Sequence, residues 1–177
     1  MRLPVVFAVV SVLSVATSVA RAQVTKESVP GVTNFSRLET TIACAGATAP
    51  AAVAELKKMG YASIINLRQA SEAGADVDGE AAAAKAAGVV YVSLPFNGAS
   101  PDPAVVDRFL KAVTDPANQP VFLHCASANR AAALWMIKRM TVDGWDTDRA
   151  SAEATALGLS SSALKTFAIE YAAAHKK

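Results

Sequence analysis

Beyond residue 40, apolar residues fall into two kinds of segment. Short dense runs occupy residues 62–68 (ASIINLR), 89–96 (VVYVSLPF) and 120–125 (PVFLHC). Each reads as a strand, and the short, β-branched run at 62–68 as a buried one. Between and after them, residues 51–59, 79–87, 104–115, 129–140, 147–157 and 161–174 carry helical patterns. In 104–115, Val105, Phe109, Leu110 and Val113 form one apolar stripe. Thr48 followed by Pro50 reads as an N-cap with proline in the first turn. Gly60, Gly88 and Gly158 stand where helices should stop. A further short strand is expected over Glu39 to Ile42, after an extended lead-in at 23–38 with a turn at Pro30-Gly31. The polar stretches 69–78 and 97–103 are loops. Strands alternating with helices predict an α/β single domain, with a mostly parallel central sheet flanked by helices.

The first residues behave differently. Arg2 precedes an uncharged apolar run from Leu3 to Ala20, and Ala20-Arg21-Ala22 has the small-x-small form of a cleavage site. This is the layout of a secretory signal peptide at 1–22, with Gln23 opening the domain at 23–177; the other reading of the run is an uncleaved membrane anchor. Removing residues 1–22 from the 177 leaves 155, one ordinary domain with room for a core. Arg2 and Arg21 leave with the signal, so the formal charge drops from +2 to 0. A neutral domain has no electrostatic footprint for nucleic acid, and after cleavage nothing calls for a membrane partner. The expected location is periplasmic or secreted.

Two cysteines, Cys44 and Cys125, and two histidines, His124 and His175, are too few and too scattered for a disulfide framework or a zinc site. No metal and no cofactor is expected. P-loop, dinucleotide-binding and nucleophile-elbow motifs are absent from the sequence.

Candidate chemistry gathers in His124-Cys125-Ala126-Ser127-Ala128-Asn129-Arg130. A cysteine ends a buried strand, small and polar residues follow, and an arginine opens a helix. Ligands of open α/β sheets bind beyond the carboxyl ends of strands, which is where this segment lies. A helix N-terminus, loop N–H groups and a nearby arginine all favour a thiolate. The N–H groups of Ala126, Ser127, Ala128 and Asn129 would make an anion nest, and Arg130 could fork two hydrogen bonds to phosphate oxygens. Against this, a lone buried cysteine and a surface arginine would need no function.

The order of elements and VFLHC…NR resemble the dual-specificity and tyrosine phosphatase superfamily, whose signature is H-C-x5-R-[ST]. More closely, the chain is similar to small bacterial phosphatase-like proteins related to the beta-lactamase-hydrolase-like phosphatase domain. The resemblance rests on Asn34-Phe35-Ser36-Arg37, Ile65-Asn66-Leu67-Arg68, HCASANR and Asp143-Gly144-Trp145, and it spans nearly all of residues 30–174. It implies a cysteine-phosphatase-like fold and a phosphorylated substrate. Cys125 would be the nucleophile, Arg130 the phosphate ligand and Asp102 the general acid by family position. Asp102 also suits an N-cap before Pro103. Glu72, Asp76 and Asp78 are rival acids.

Three departures keep other readings open. Four residues, not five, separate Cys125 from Arg130, the loop length of rhodanese-like sulfurtransferases. Ala131 replaces the signature hydroxyl, and Ala128 stands where related sequences carry glycine, which takes positive φ cheaply. A sulfurtransferase and a non-catalytic anion-binding module are therefore the alternatives. Arg68 ends a strand on the same rim and could contact a second anionic group or pair with Glu72. His124 should stay inside and shape the loop, Cys44 should be buried, and Trp135 and Trp145 should belong to the core.

Overall fold

The strand most apolar in sequence lies inside the sheet. The computed structural model describes residues 23–38 and 40–175. Its six-stranded sheet runs in the order β1-β2-β3-β6-β4-β5, from β1 (Val24–Lys26), β2 (Ser36–Leu38), β3 (Ile42–Ala45), β4 (Ser63–Asn66), β5 (Val90–Ser93) and β6 (Val121–His124). β3, β6, β4 and β5 are mutually parallel, while β1 and β2 add an antiparallel edge.

Alternation along β6 divides the core. Phe122 packs on one face with Phe35, Tyr61, Ile64 and the helices α1 (Val53–Lys58) and α2 (Val77–Ala87). The ring centroids of Phe35, Tyr61 and Phe122 lie 5.8–6.3 Å apart. Leu123 and Cys125 face the other side, with α3 (Pro103–Thr114), α4 (Asn129–Thr141), α5 (Thr147–Ala156) and α6 (Ser162–Ala174). Each fully buried large apolar side chain contributes roughly 1.5–3 kcal/mol, so a strand buried on both faces anchors the fold. In α3 the expected stripe is in place: Val105, Phe109 and Val113 are buried and Leu110 packs against the core at its margin. No helix among the described residues is long and apolar enough to cross a membrane.

The differences from expectation are local. The lead-in at 23–38 contains β1 and β2, paired by Val24↔Leu38 and Lys26↔Ser36. The strand expected to end at Ile42 instead begins there and runs to Ala45, buried throughout; Glu39 lies outside the described residues, as do residues 1–22 with the expected signal peptide. Thr48 does not cap: its hydroxyl donates to the Gly46 carbonyl at 3.2 Å, and the chain enters α1 through a short 3-10 turn at Pro50–Ala52. Trp135 is buried, donating to Glu153 at 2.7 Å, and Trp145 is partly buried against the core, with the guanidinium groups of Arg139 and Arg149 stacked on its ring at 4.1 and 3.6 Å from the centroid.

Because four strands run parallel, the loops that follow Ala45, Asn66, Ser93 and His124 share one edge. Backbone bonds lace them together: Cys125 N to Ala45 O (3.2 Å), Ala47 N to Ala126 O (3.0 Å), Leu67 N to His124 O (2.9 Å) and Phe96 N to Leu67 O (3.0 Å).

Candidate active site

Cys125 is the first residue beyond β6 and is fully buried, whereas Ala126 and Ser127 are exposed above it. The chain then turns at Ala128, φ 75° and ψ −17°, and enters α4. The N–H groups of Ala126, Ser127, Asn129, Arg130 and Ala131 find no acceptor among the described residues. They form the open end of a helix, where partial positive charge collects.

The turn is close-packed. A Cβ added to Gly46 would lie 3.1 Å from the Ala126 carbonyl and would collide with the Thr33 hydroxyl, so only glycine lets β3 approach the loop this closely. Ala128 takes the left-handed conformation that costs a side-chain-bearing residue roughly 1–2 kcal/mol. Its methyl sits against Gly158, itself at φ 112°, where an added Cβ would come within 3.1 Å. Gly158→Ala is therefore expected to destabilise the protein by about 2 kcal/mol, and Ala128→Gly in that background to restore part of it. A urea-melt double-mutant cycle reads the coupling; strictly additive effects would show that the two methyls do not compete.

Asn129 fastens the loop to the α5–α6 connection. Its Oδ1 accepts from the N–H groups of Ser160 (2.7 Å) and Ser161 (2.8 Å) and from the Ser160 hydroxyl. Asn34, at φ 50°, donates to the Ser127 carbonyl from the other side at 3.4 Å.

Arg130 is held end-on. Nη1 donates to Glu72 Oε1 at 2.6 Å and to the carbonyls of Phe96 and Leu67 at 2.9 and 3.2 Å, while Nη2 donates to Glu72 Oε2 at 2.7 Å. Beyond the Glu72 and carbonyl contacts the Nε–H and the second Nη2–H remain, and the guanidinium also has a side-chain hydrogen bond to Cys125. These two N–H groups form the side-on fork that matches two oxygens of an oxyanion. Burial alone would lower the guanidinium pKa, but hydrogen bonds with Glu72 and Cys125 and the proximity of both groups raise it above its ordinary value. Burial alone would raise the Glu72 carboxyl, but hydrogen bonds from Arg130, the Gln69 N–H and Arg68 hold it down to about 2. Glu72 is thus ionised at any ordinary working pH and is unsuited to donate a proton.

Arg68 is buried, with Nη1 and Nη2 on the Gly74 and Ala73 carbonyls at 2.9 and 2.6 Å and Nε on Glu72 at 3.4 Å. The pairing with Glu72 is there, but as a buried strut of the 69–76 loop; contact with a second anion would have to displace those bonds. Asp102 is exposed and caps α3, its Oδ1 accepting from Ala104 N at 2.9 Å. Asp76 caps α2 in the same way, and Asp78 is exposed in the first turn of that helix. A cavity of about 600 Å³ lies over the loop between Gln69, Glu72, Asn97, Ser127, Asn129 and Arg130; Asp102 is not among the residues lining it. A second cleft of about 620 Å³ opens on the far side of Ser127 and Asn129, towards Lys26 and Asn34.

Behind the nucleophile, His124 points to the opposite face from Cys125. Its Nε2 meets Glu80 at 3.0 Å, and the same carboxylate accepts from Asn66 Nδ2 (2.7 Å) and the Tyr91 hydroxyl (3.0 Å). Asn66 Oδ1 in turn accepts from Arg68 N at 2.7 Å. Cys44 is a fully buried free thiol, pushed up by burial and by nearby Cys125.

The sequence profile described as "Beta-lactamase hydrolase-like protein, phosphatase-like domain" matches residues 34–142, from the asparagine that holds the loop to the end of the helix behind it. The chain belongs to this phosphatase-like family. No curated protein matches it. Among solved structures, a DUF442 protein of Shewanella putrefaciens is 20% identical (TM-score 0.69), with 83% of this chain and 96% of that one covered. TpbA of P. aeruginosa, whose structure has been solved with pTyr, is 20% identical (TM-score 0.62; 89% and 90% covered). The core catalytic domain of the PP-IP phosphatase SIW14 from S. cerevisiae is 20% identical (TM-score 0.66; 81% and 88% covered). These likenesses establish the cysteine-phosphatase-like fold of this family member.

Two features of the phosphatase-like site were not anticipated from sequence. Glu72 was a rival acid and a partner for Arg68, not the clamp on Arg130, from which it is separated by 58 positions. Glu80, inside the helical segment 79–87, carries no local signal of the three partners it meets.

Proposed function

We propose that the protein is an exported, metal-independent, cysteine-dependent phosphatase acting on phosphate monoesters. The observation that carries this reading is Arg130, clamped end-on by Glu72 so that its side-on fork is left over a loop of unsatisfied N–H groups that begins at Cys125. Such preorganised donors stabilise a trigonal-bipyramidal phosphoryl group without reorganising. The Cys125 thiolate attacks phosphorus in line, the S–P bond forms and the P–O ester bond breaks. Water then attacks the cysteinyl-phosphate, releasing phosphate and restoring the thiolate. Phosphotyrosine is the first substrate to try, because TpbA has been solved with pTyr.

The purified protein should hydrolyse p-nitrophenyl phosphate, and acid quenching during turnover should leave an 80-dalton adduct on the Cys125 peptide, the mass of a phosphoryl group by the covalent mechanism. Turnover with the adduct on another residue would overturn the cysteine mechanism. The four-residue spacing between Cys125 and Arg130 favours one other reading, a sulfurtransferase; thiocyanate formation from thiosulfate and cyanide, with no phosphatase activity, would establish it.

Asp102 is assigned as the proton donor, which requires the 97–102 loop to bring its carboxyl from the α3 cap to the leaving oxygen. Aryl leaving groups need little protonation and alkyl ones much. Asp102→Asn should therefore lower kcat for alkyl phosphates on the order of 10²-fold, with little loss on p-nitrophenyl phosphate. Equal losses on both would assign Asp102 to α3 alone. For export, N-terminal sequencing of the secreted or periplasmic product should begin at Gln23, and an intact Met1 on a membrane-bound product would refute cleavage.

A further inference from the structure

The charge of the cleft sets what else a substrate can carry. Among the described residues lining the cavity, Arg130 is the one cation and Glu72 the one anion, and they are paired at 2.6 Å. Fixed charge among these lining residues therefore sums to zero. Beyond Ser127 and Asn129 of the loop itself, the remaining wall is Gln69, Asn97, Gly98, Ala99, Ser161 and Leu164: amides, a hydroxyl and small or apolar groups. The anion-binding devices, the loop N–H groups and the side-on fork of Arg130, converge on one point. They offer nothing to a second phosphoryl group further out. Such a group would meet the nucleophilic thiolate with no free cation to offset the two charges, since Arg130 is already paired with Glu72. Arg68 is buried with its donors on Glu72, Ala73 and Gly74, and Lys26 lines the separate cleft across Ser127 and Asn129.

We propose that this cleft selects esters bearing a single phosphoryl group on an otherwise uncharged remainder, aromatic or hydroxylated, and discriminates against polyphosphorylated polyanions. The inference rests on the phosphatase reading and adds the substrate class. Specificity here arises from like charge left uncompensated against the wrong ligand, as much as from contacts to the right one. The cavity of about 600 Å³ has room for a ring beyond the phosphate, and Leu164 supplies it an apolar surface.

Two measurements on the purified protein test the proposal. The first is binding of inorganic phosphate and of inositol hexakisphosphate by calorimetry, at about 50 and about 300 mM salt. Inorganic phosphate should bind at least as tightly, and affinity for the hexakisphosphate should not fall as salt rises. Tighter hexakisphosphate binding that weakens with salt would overturn the proposal. The second is kcat/KM, expected to favour phosphotyrosine over the hexakisphosphate by about 100-fold or more. Turnover of neither sinks the phosphatase reading and leaves the binding arm to decide selectivity. Gln69→Lys and Asn97→Lys each place a cation on the wall. At least one should raise hexakisphosphate affinity relative to inorganic phosphate about tenfold. An unchanged ratio in both would show that wall charge is not what discriminates.

Discussion

Replacing Arg130 with lysine is expected to lower kcat/KM for p-nitrophenyl phosphate on the order of 10³-fold, although charge is conserved. The guanidinium does two jobs at once. Its end-on edge takes both oxygens of Glu72 and two carbonyls, and its side-on edge remains for the substrate. An ammonium has three donors on one atom, and beside Glu72 it would turn them to the carboxylate and carbonyls. Two charged hydrogen bonds to the phosphoryl group would be lost, each worth about 1.5–3 kcal/mol, and about 1.4 kcal/mol is a factor of ten. If Arg130→Lys retains vanadate inhibition and turnover, Arg130 is not the phosphate ligand. The clamp also sets an acid limit. Glu72 is held down to about 2, below the unfolded carboxylate value of about 4.3, so its contribution to stability is complete above that value and is lost as pH falls towards 2. Between pH 7 and 5 the pair should contribute no pH dependence. A Glu72→Gln variant, compared with the parent in urea melts, should lose that acid-limb slope and nothing at neutral slope.

The parallel part of this fold was legible because its inner strands are buried on both faces and so read as dense apolar runs, and because Gly60 and Gly88, both at positive φ, stop the helices ahead of β4 and β5. The antiparallel edge was not. β1 is a three-residue strand, largely exposed, and its sequence VTK carries no alternating apolar signal; only pairing with β2 makes it a strand. β3 was misplaced by a few residues because Ala43, Cys44 and Ala45 have little strand preference of their own and are held by their neighbours. Within the site, the local segment from Cys125 to Arg130 could be read because its chemistry is consecutive. The Glu72 clamp could not, since the pairing is made by two loops meeting at the rim. Likewise the strain at Ala128 was visible as a missing glycine, but the space that admits its methyl comes from Gly158 in another connection. What sequence hides here is long-range compensation.

Glu80→Leu should be the most destabilising single change outside the apolar core, by about 3–5 kcal/mol, the cost of breaking a buried charged network by removing one partner. Periodicity alone makes Glu80 a solvent-facing residue of a helix rich in alanine. Instead it is 2% exposed, and three donors from three strands converge on it: Asn66 of β4, Tyr91 of β5 and His124 of β6. Burial pushes the Tyr91 phenol up, so it stays protonated and donates. Leucine would fill the volume and remove the shared acceptor, leaving His124 Nε2 without it, Asn66 Nδ2 only the Tyr91 hydroxyl (2.8 Å) and Tyr91 only the long contact to the Val77 carbonyl (3.3 Å), with a desolvation cost of about 1–3 kcal/mol for each group left unsatisfied. Glu80→Gln keeps one acceptor oxygen and should cost about half as much. Because His124 immediately precedes Cys125, and Asn66 holds Arg68 and so the loop that carries Glu72, the loss should extend to the rim. Hydrogen exchange in Glu80→Gln should accelerate at residues 124–130 and 67–72 before it does in α5 and α6. Denaturation midpoints matching the parent in Glu80→Leu would show that these donors find other partners and that the carboxylate does not hold the sheet end in place.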